Sequence, residues 1–134
     1  MNAELETYVK NLIDAMNPMA VIFYGSRARG DFKPSSDFDI AVIAESLPQF
    51  TDRWDLLCKY RTKIPLEPRG FTPEEFLTMI ENCNPTALDA VYEGKILFDR
   101  GFIQTARLKF KEVSEKYRLK KKENGWIALN PTGI

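Results

Sequence analysis

The chain has 134 residues, 44% hydrophobic and 28% charged, a length and balance that suit one globular domain. Lys plus Arg equals Asp plus Glu at 19 each; zero net charge argues against broad electrostatic coating of nucleic acid, though not against a local basic patch. Histidine is absent. His-based triads, His general bases and His-rich metal sites are therefore excluded, and chemistry must rest on carboxylates, hydroxyls, lysine, arginine or an oxygen-held metal.

Leu5, Tyr8, Val9, Leu12, Ile13 and Met16 recur at helical spacing and predict an amphipathic helix over 3–16, ended by Asn17-Pro18. Residues 19–24 form an apolar run of strand length. Gly25-Ser26 breaks it, Arg27 to Asp31 opens a short helix limited by Gly30, and 33–36 is a loop. Residues 37–43 read as a second buried strand with an acidic start. A helix is expected over 50–62, with Trp54, Leu57, Cys58 and Arg61 on one side. A short strand follows over 63–67, where Pro65 and Pro68 suit an edge or interrupted position. Thr72-Pro73-Glu74-Glu75 is a capping box that starts a helix to about Asn82. Asn84-Pro85-Thr86 starts another to Glu93, stopped by Gly94. Residues 95–98 make a short strand, 102–117 a long helix, and the tail after Asn124 is expected to be irregular. This order implies an α/β (α+β) fold, a small mixed β-sheet flanked by helices. Residues 1–100 are expected to carry the working domain, with 101–134 a C-terminal helix and tail of the same domain.

Cys58 and Cys83 lack metal-like spacing and read as reduced, buried thiols. The N-terminus is acidic and amphipathic rather than basic then apolar, unlike a secretory signal. No apolar run approaches the ~20 residues that span a bilayer. The expected setting is cytoplasmic, without membrane contact.

The feature richest in chemistry is Gly25-Ser26, followed by Asp37-Phe38-Asp39. A glycine after a strand lets backbone approach a phosphate closely. N–H groups at a helix start favour an anion, the Ser26 hydroxyl adds a donor, and Arg27 and Arg29 supply cations. Asp37 and Asp39 are two apart on a strand and so share a face. Side-by-side carboxylates are costly unless a cation neutralises them, and Mg²⁺ takes one or two carboxylates plus substrate phosphates and water. A phosphate turn facing an acidic pair is thus a site for a metal-bound NTP, with room for two ions about 3.5–4 Å apart.

At Gly-Ser-Arg-Ala-Arg-Gly-Asp (25–31) and Ser-Asp-Phe-Asp-Ile-Ala-Val-Ile (36–43) the chain resembles the minimal nucleotidyltransferases of the DNA polymerase β superfamily. The resemblance covers residues 1 to about 100 and implies the polymerase-β-like nucleotidyltransferase fold. It implies that Gly25 and Ser26 hold the NTP phosphates and that Asp37 and Asp39 bind magnesium. A third carboxylate on a later strand usually completes such sites. Here that position falls on Glu67, five residues before the Thr72 cap, where many members carry aspartate. Compact members are often paired with a small helical HEPN protein, and some are antitoxins that move AMP from ATP to a tyrosine of that partner. A protein acceptor is therefore the first expectation; a small molecule or an RNA end is the alternative. A binding module that neutralises a partner by stoichiometric contact is the competing class.

Each residue also has a plainer reading. Gly25-Ser26 can be an ordinary strand-to-helix turn, and Asp37 and Asp39 can be a loop-edge acid and a partner for arginine. Glu67 is either a metal ligand and general base or a solvated edge acid. Arg29 either holds phosphate or pairs with Asp31 or another nearby acid. Thr72 and Glu75 read as caps. Trp54 and the aromatics of 102–117 read as core or interface. The basic run from Arg107 to Lys122 is a solvated face or a contact for RNA phosphate or an acidic partner. Trp126, beyond it, either packs back on the domain or anchors a partner.

Overall fold

The computed structural model describes residues 2–134. Its elements in chain order are α1 (Ala3–Met16), β1 (Ala20–Tyr24), α2 (Gly25–Arg29), β2 (Phe38–Ile43), α3 (Phe50–Cys58) and β3 (Leu66–Phe71). They continue with α4 (Pro73–Glu81), α5 (Pro85–Glu93), β4 (Lys95–Asp99), α6 (Ile103–Tyr117), β5 (Leu119–Lys122) and β6 (Gly125–Ala128). The main sheet has the order β3-β2-β1-β4. β1 runs antiparallel to β2 and β4, whereas β2 and β3 are parallel and joined through α3. This is the mixed sheet flanked by helices that the element order implied.

The two apolar runs become the inner strands, covered on both faces, so continuous rather than alternating hydrophobicity is the pattern they need. Val21, Phe23, Ile40, Val42 and Leu66 face α1 and α3, meeting Leu5, Tyr8, Leu12 and Leu57. Ile22, Tyr24, Ala41, Ile43 and Phe71 face the other way, into Phe76, Ile80, Leu88, Ala106 and Val113 of α4, α5 and α6. Residues beyond 101 thus share the core of this second layer.

The caps formed as their sequence demands. Thr72 Oγ1 accepts from the Glu75 N–H at 3.2 Å, and Glu75 Oε1 accepts from the Thr72 N–H at 2.8 Å. Asn84 Oδ1 accepts from Thr86 and Ala87. Arg53, only 8% exposed, ties these parts together. Its guanidinium donates to Glu75 at 2.6 Å and to the Gly70 and Pro48 carbonyls. That pairing holds the Glu75 carboxyl below its usual pKa range.

Four expectations are corrected. The helix from residue 50 stops at Cys58, not 62. The strand expected over 63–67 lies at Leu66–Phe71, with Pro68 inside it. Pro68 fits because β3 is an edge strand. The Pro65 and Phe71 carbonyls accept from β2-side N–H groups, so alternation turns residue 68 to the outer edge, where no ladder donor is needed. The tail is not irregular: β5 and β6 form an antiparallel hairpin, which takes Lys120–Lys122 of the basic run out of the helix. Both cysteines are unpaired, but half-buried rather than buried.

Trp126 packs back on the domain. Its Nε1 donates to Asp89 at 2.8 Å, and its ring meets Tyr92 and Phe110 edge-on. Trp126→Ala should cost about 2 kcal/mol of stability in chemical denaturation, below the ~3–5 kcal/mol of a fully buried tryptophan. An unchanged transition midpoint would mean that the hairpin adds nothing to the domain.

Candidate active site

β1 ends at Tyr24, and the chain turns at once into the one-turn helix α2. Gly25 makes that turn with φ +81°, left-handed backbone that side-chain-bearing residues avoid. The return to β2 is clipped by Arg27. Its Nε donates to the Ser36 carbonyl at 3.0 Å and its Nη2 to the Pro34 carbonyl at 3.2 Å, while the guanidinium lies over Phe32 and Phe38. Arg27, read from sequence as a nearby cation, is thus engaged in shaping this loop. The clip brings the acidic pair back beside the bend.

Asp39 is the register partner of Tyr24 on β1 and of Glu67 on β3. All three side chains therefore share the sheet face that carries α4 and α5. A Cβ added at Gly25 would overlap Asp39 Oδ2 and lie 3.1 Å from Asp39 Cγ. The carboxylate is packed directly against the glycine bend. Asp37 sits one residue ahead of β2, exposed, on the same side. Glu67 is half-buried and accepts from Arg69 Nη2 at 3.1 Å. Gly25 is buried and Ser26 half-buried at the start of α2.

The electrostatics follow from this crowding. Burial, then the Glu67 and Asp37 carboxylates, raise the Asp39 pKa to about 6, with Arg69 and Arg29 opposing. Burial also pushes the Tyr24 hydroxyl up, helped by Asp39. Among the described residues, no three His, Cys, Asp or Glu side chains converge into a preformed metal cage. The donors are nevertheless all oxygen and left with excess negative charge, and Mg²⁺ draws most of its ligands from phosphates and water. The group fits.

Arg29 is occupied. Its Nη1 donates to Glu93 on α5 at 2.8 Å and its Nε reaches Asp31 at 3.2 Å, and the Glu93 bond raises its pKa further. The alternative of pairing with Asp31 or another nearby acid is present, and the closer partner is Glu93. Sequence reading missed three residues here: Arg69, Tyr24 and Glu93. Arg69 lies two positions after Glu67 on the same face of β3, but a strand expected to end at 67 hid it. Glu93 carried no such signal, because only the docking of α5 against α2 brings it near.

The polymerase beta nucleotidyltransferase model matches residues 6–102, and the chain belongs to that family. Crystal structures of toxin–antitoxin complexes are similar in fold. One described as a toxin–antitoxin with AMP-PNP aligns with TM-score 0.56 at 21% identity, covering 84% of this chain and 86% of that one. Two are mutants of the toxin–antitoxin MntA–HpeT. A tyrosine-to-alanine form aligns at TM-score 0.58 and 20% identity, covering 87% and 88%. A double aspartate-to-glutamate form aligns at 0.56 and 19%, covering 88% of each chain. No curated protein sequence gave a significant match. No helix among the described residues is long and apolar enough to cross a membrane.

Two outcomes test this geometry. Gly25→Ala forces a side chain into Asp39 at a strained φ. It should weaken Mg²⁺–AMP-PNP binding about tenfold or more in calorimetry, with a native circular dichroism spectrum. Asp39→Asn should stabilise the chain at high pH only. Because the folded pKa lies above the ordinary 3.8, the folded form binds the extra proton, and stability is lost as pH rises from about 3.8 through about 6. Discounted for partial exposure, the gain is on the order of 1 kcal/mol at pH 8 and near zero at pH 4 in thermal melts. A gain of equal size at both pH values would contradict the assignment.

Proposed function

We propose that the chain is a cytoplasmic, metal-dependent nucleotidyltransferase that moves an NMP, most naturally AMP from ATP, to a hydroxyl of a partner protein. The observation that carries this reading is the Asp39 carboxylate packed on the Gly25 bend beside Glu67. A turn suited to phosphate and carboxylates suited to a cation stand side by side. The family match supports the reaction class. The AMP-PNP in one neighbour's description supports ATP, and the toxin–antitoxin pairs support a toxin as partner. The resemblance noted from sequence makes that partner a HEPN-type protein and the acceptor a tyrosine.

In this reading the Gly25 and Ser26 N–H groups and the Ser26 hydroxyl orient the β- and γ-phosphates, and Arg29 adds positive charge at their edge. Asp37, Asp39 and Glu67 would hold two magnesium ions, which supply neutralisation of the triphosphate and of the departing pyrophosphate. Glu67 takes the proton of the acceptor hydroxyl. The acceptor oxygen bonds to the α-phosphorus as the bond to pyrophosphate breaks. Positioning and charge do most of the work, so few groups suffice.

A second reading is favoured by one observation: Glu67 is engaged by Arg69 rather than gathered with the aspartates into a cage. On that reading the chain binds nucleotide or its partner and acts by contact alone. The Asp37→Asn, Asp39→Asn double substitution separates the two. Transfer of label from α-labelled ATP to the partner should fall by about a hundredfold or more, with the melting profile near native. Partner neutralisation that survives in this variant would favour the contact mechanism.

A further inference from the structure

β3 carries Glu67, Pro68 and Arg69 in succession, and alternation puts Glu67 and Arg69 on one face. Register sets them in two neighbouring rows of the sheet. Tyr24, Asp39 and Glu67 form the first row, and Ile22, Ala41 and Arg69 form the second. Ala41 is fully buried and brings only a methyl group, so the arginine beside it has room to reach back to the acids. Its Nη2 donates to Glu67 at 3.1 Å.

Arg69 differs from the other arginines around the site. Arg27 clips two carbonyls and lies over two rings, and Arg29 is held by Glu93 and Asp31. Arg69 makes a single side-chain hydrogen bond among the described residues, and its acid partner belongs to the site itself. Burial raises the Asp39 pKa, and Arg69 is the stronger of the two arginines that oppose it. Its side chain is 50% exposed, and ion pairs open to water are weak. Beside it lies a cleft of about 350 Å³ whose lining includes Arg69, Thr86 and Trp54, space into which the side chain can turn. Trp54, read from sequence as core or interface, is 46% exposed there and offers a ring on which a freed guanidinium can rest.

We propose that Arg69 is the resident counter-ion of the candidate active site: it holds Glu67 while no metal is bound and releases it when a divalent cation enters. The inference rests on the nucleotidyltransferase reading above. Neighbouring, partly buried carboxylates need positive charge in every state. Arg29 is committed to acids outside the group, so Arg69 supplies that charge to the empty site. A guanidinium and a divalent cation repel each other, so both cannot lie against Glu67. Arg69 thereby sets a threshold: Glu67 joins Asp37 and Asp39 only where the cation outcompetes it. Glu67 held aside in this way also accounts for acids that stand close without forming a cage. Arg69 acts through Glu67 and is a positioning residue.

The test is a titration of the full chain with Mn²⁺, the free ion read by electron paramagnetic resonance, at about pH 8, above the Asp39 pKa of about 6. Arg69→Gln should bind Mn²⁺ about fivefold more tightly than the parent, the effect of removing one charge ~7 Å from a divalent ion in a water-like dielectric, and Mg²⁺ should compete. Arg69→Lys keeps the charge and should bind as the parent does. Without metal, Arg69→Gln should melt below the parent, and saturating Mn²⁺ should close the gap. A purely structural role would leave that gap open. Equal Mn²⁺ affinity in parent and Arg69→Gln, absence of binding in both, or a melting gap that Mn²⁺ does not narrow overturns the proposal. Calorimetry with Mg²⁺–AMP-PNP separates the two claims. AMP-PNP binding beside an unchanged Mn²⁺ affinity removes the counter-ion and leaves the transferase reading; the predicted Mn²⁺ behaviour without AMP-PNP binding does the reverse.

Discussion

The contact on which the site depends is the Asp39 carboxylate lying against the α-carbon of Gly25. No side chain can intervene there, so the distance between the turn and the acid is set by backbone packing alone. Two further carboxylates stand close, one as the register partner on β3 and one just ahead of β2. Burial first, and then the repulsion of these neighbours, raise the Asp39 pKa to about 6. Arg69 offsets part of that repulsion from the β3 side. An arrangement this unfavourable is expected where a cation–phosphate ligand supplies the missing positive charge.

The fold serves that contact through the order of its strands. Antiparallel pairing of β1 with β2 sets the end of one strand beside the start of the next, so Tyr24 and Asp39 become neighbours although fifteen positions separate them in sequence. Parallel pairing of β2 with β3 then aligns Asp39 with Glu67. Had β3 returned antiparallel by a short hairpin, its register would have been tied to the other end of β2. The α3 crossover therefore delivers the third acid, and it also leaves β3 at the edge of the sheet.

The fold was largely legible because its signals are local. Apolar runs gave β1 and β2, and cap residues gave the starts of α4 and α5. Spacing gave α1 and most of α6. The misses have physical causes. The β5–β6 hairpin is rich in lysine and has almost no apolar face of its own; Trp126 docking against Tyr92 and Phe110 holds it, a long-range contact that no local pattern records. β3 was displaced because a proline inside a strand reads as a break unless the edge is known. At the site, the bend and the two aspartates stood out by spacing. The engagement of Arg27 in the loop and the hold of Glu93 on Arg29 are tertiary facts.

That last pairing joins the hairpin to the site. Glu93 receives Arg29 at 2.8 Å and lies 3.9 Å from Lys121, while Asp89, one helical turn earlier on α5, receives Lys121 at 2.6 Å and Trp126 at 2.8 Å. Exposed ion pairs are individually weak, but these groups are each partly buried and share donors, so moving one disturbs the next. The aromatic contacts fix where the hairpin lies, and the charges then set how Lys121 and Arg29 divide the acids of α5. Arg29 is thereby held at the rim of the Gly25-Ser26 bend instead of swinging in solvent. A guanidinium held in place loses less freedom when an anion arrives. The C-terminal segment, which lies beyond the family match, thus bears on the Gly25-Ser26 bend through α5 without touching it.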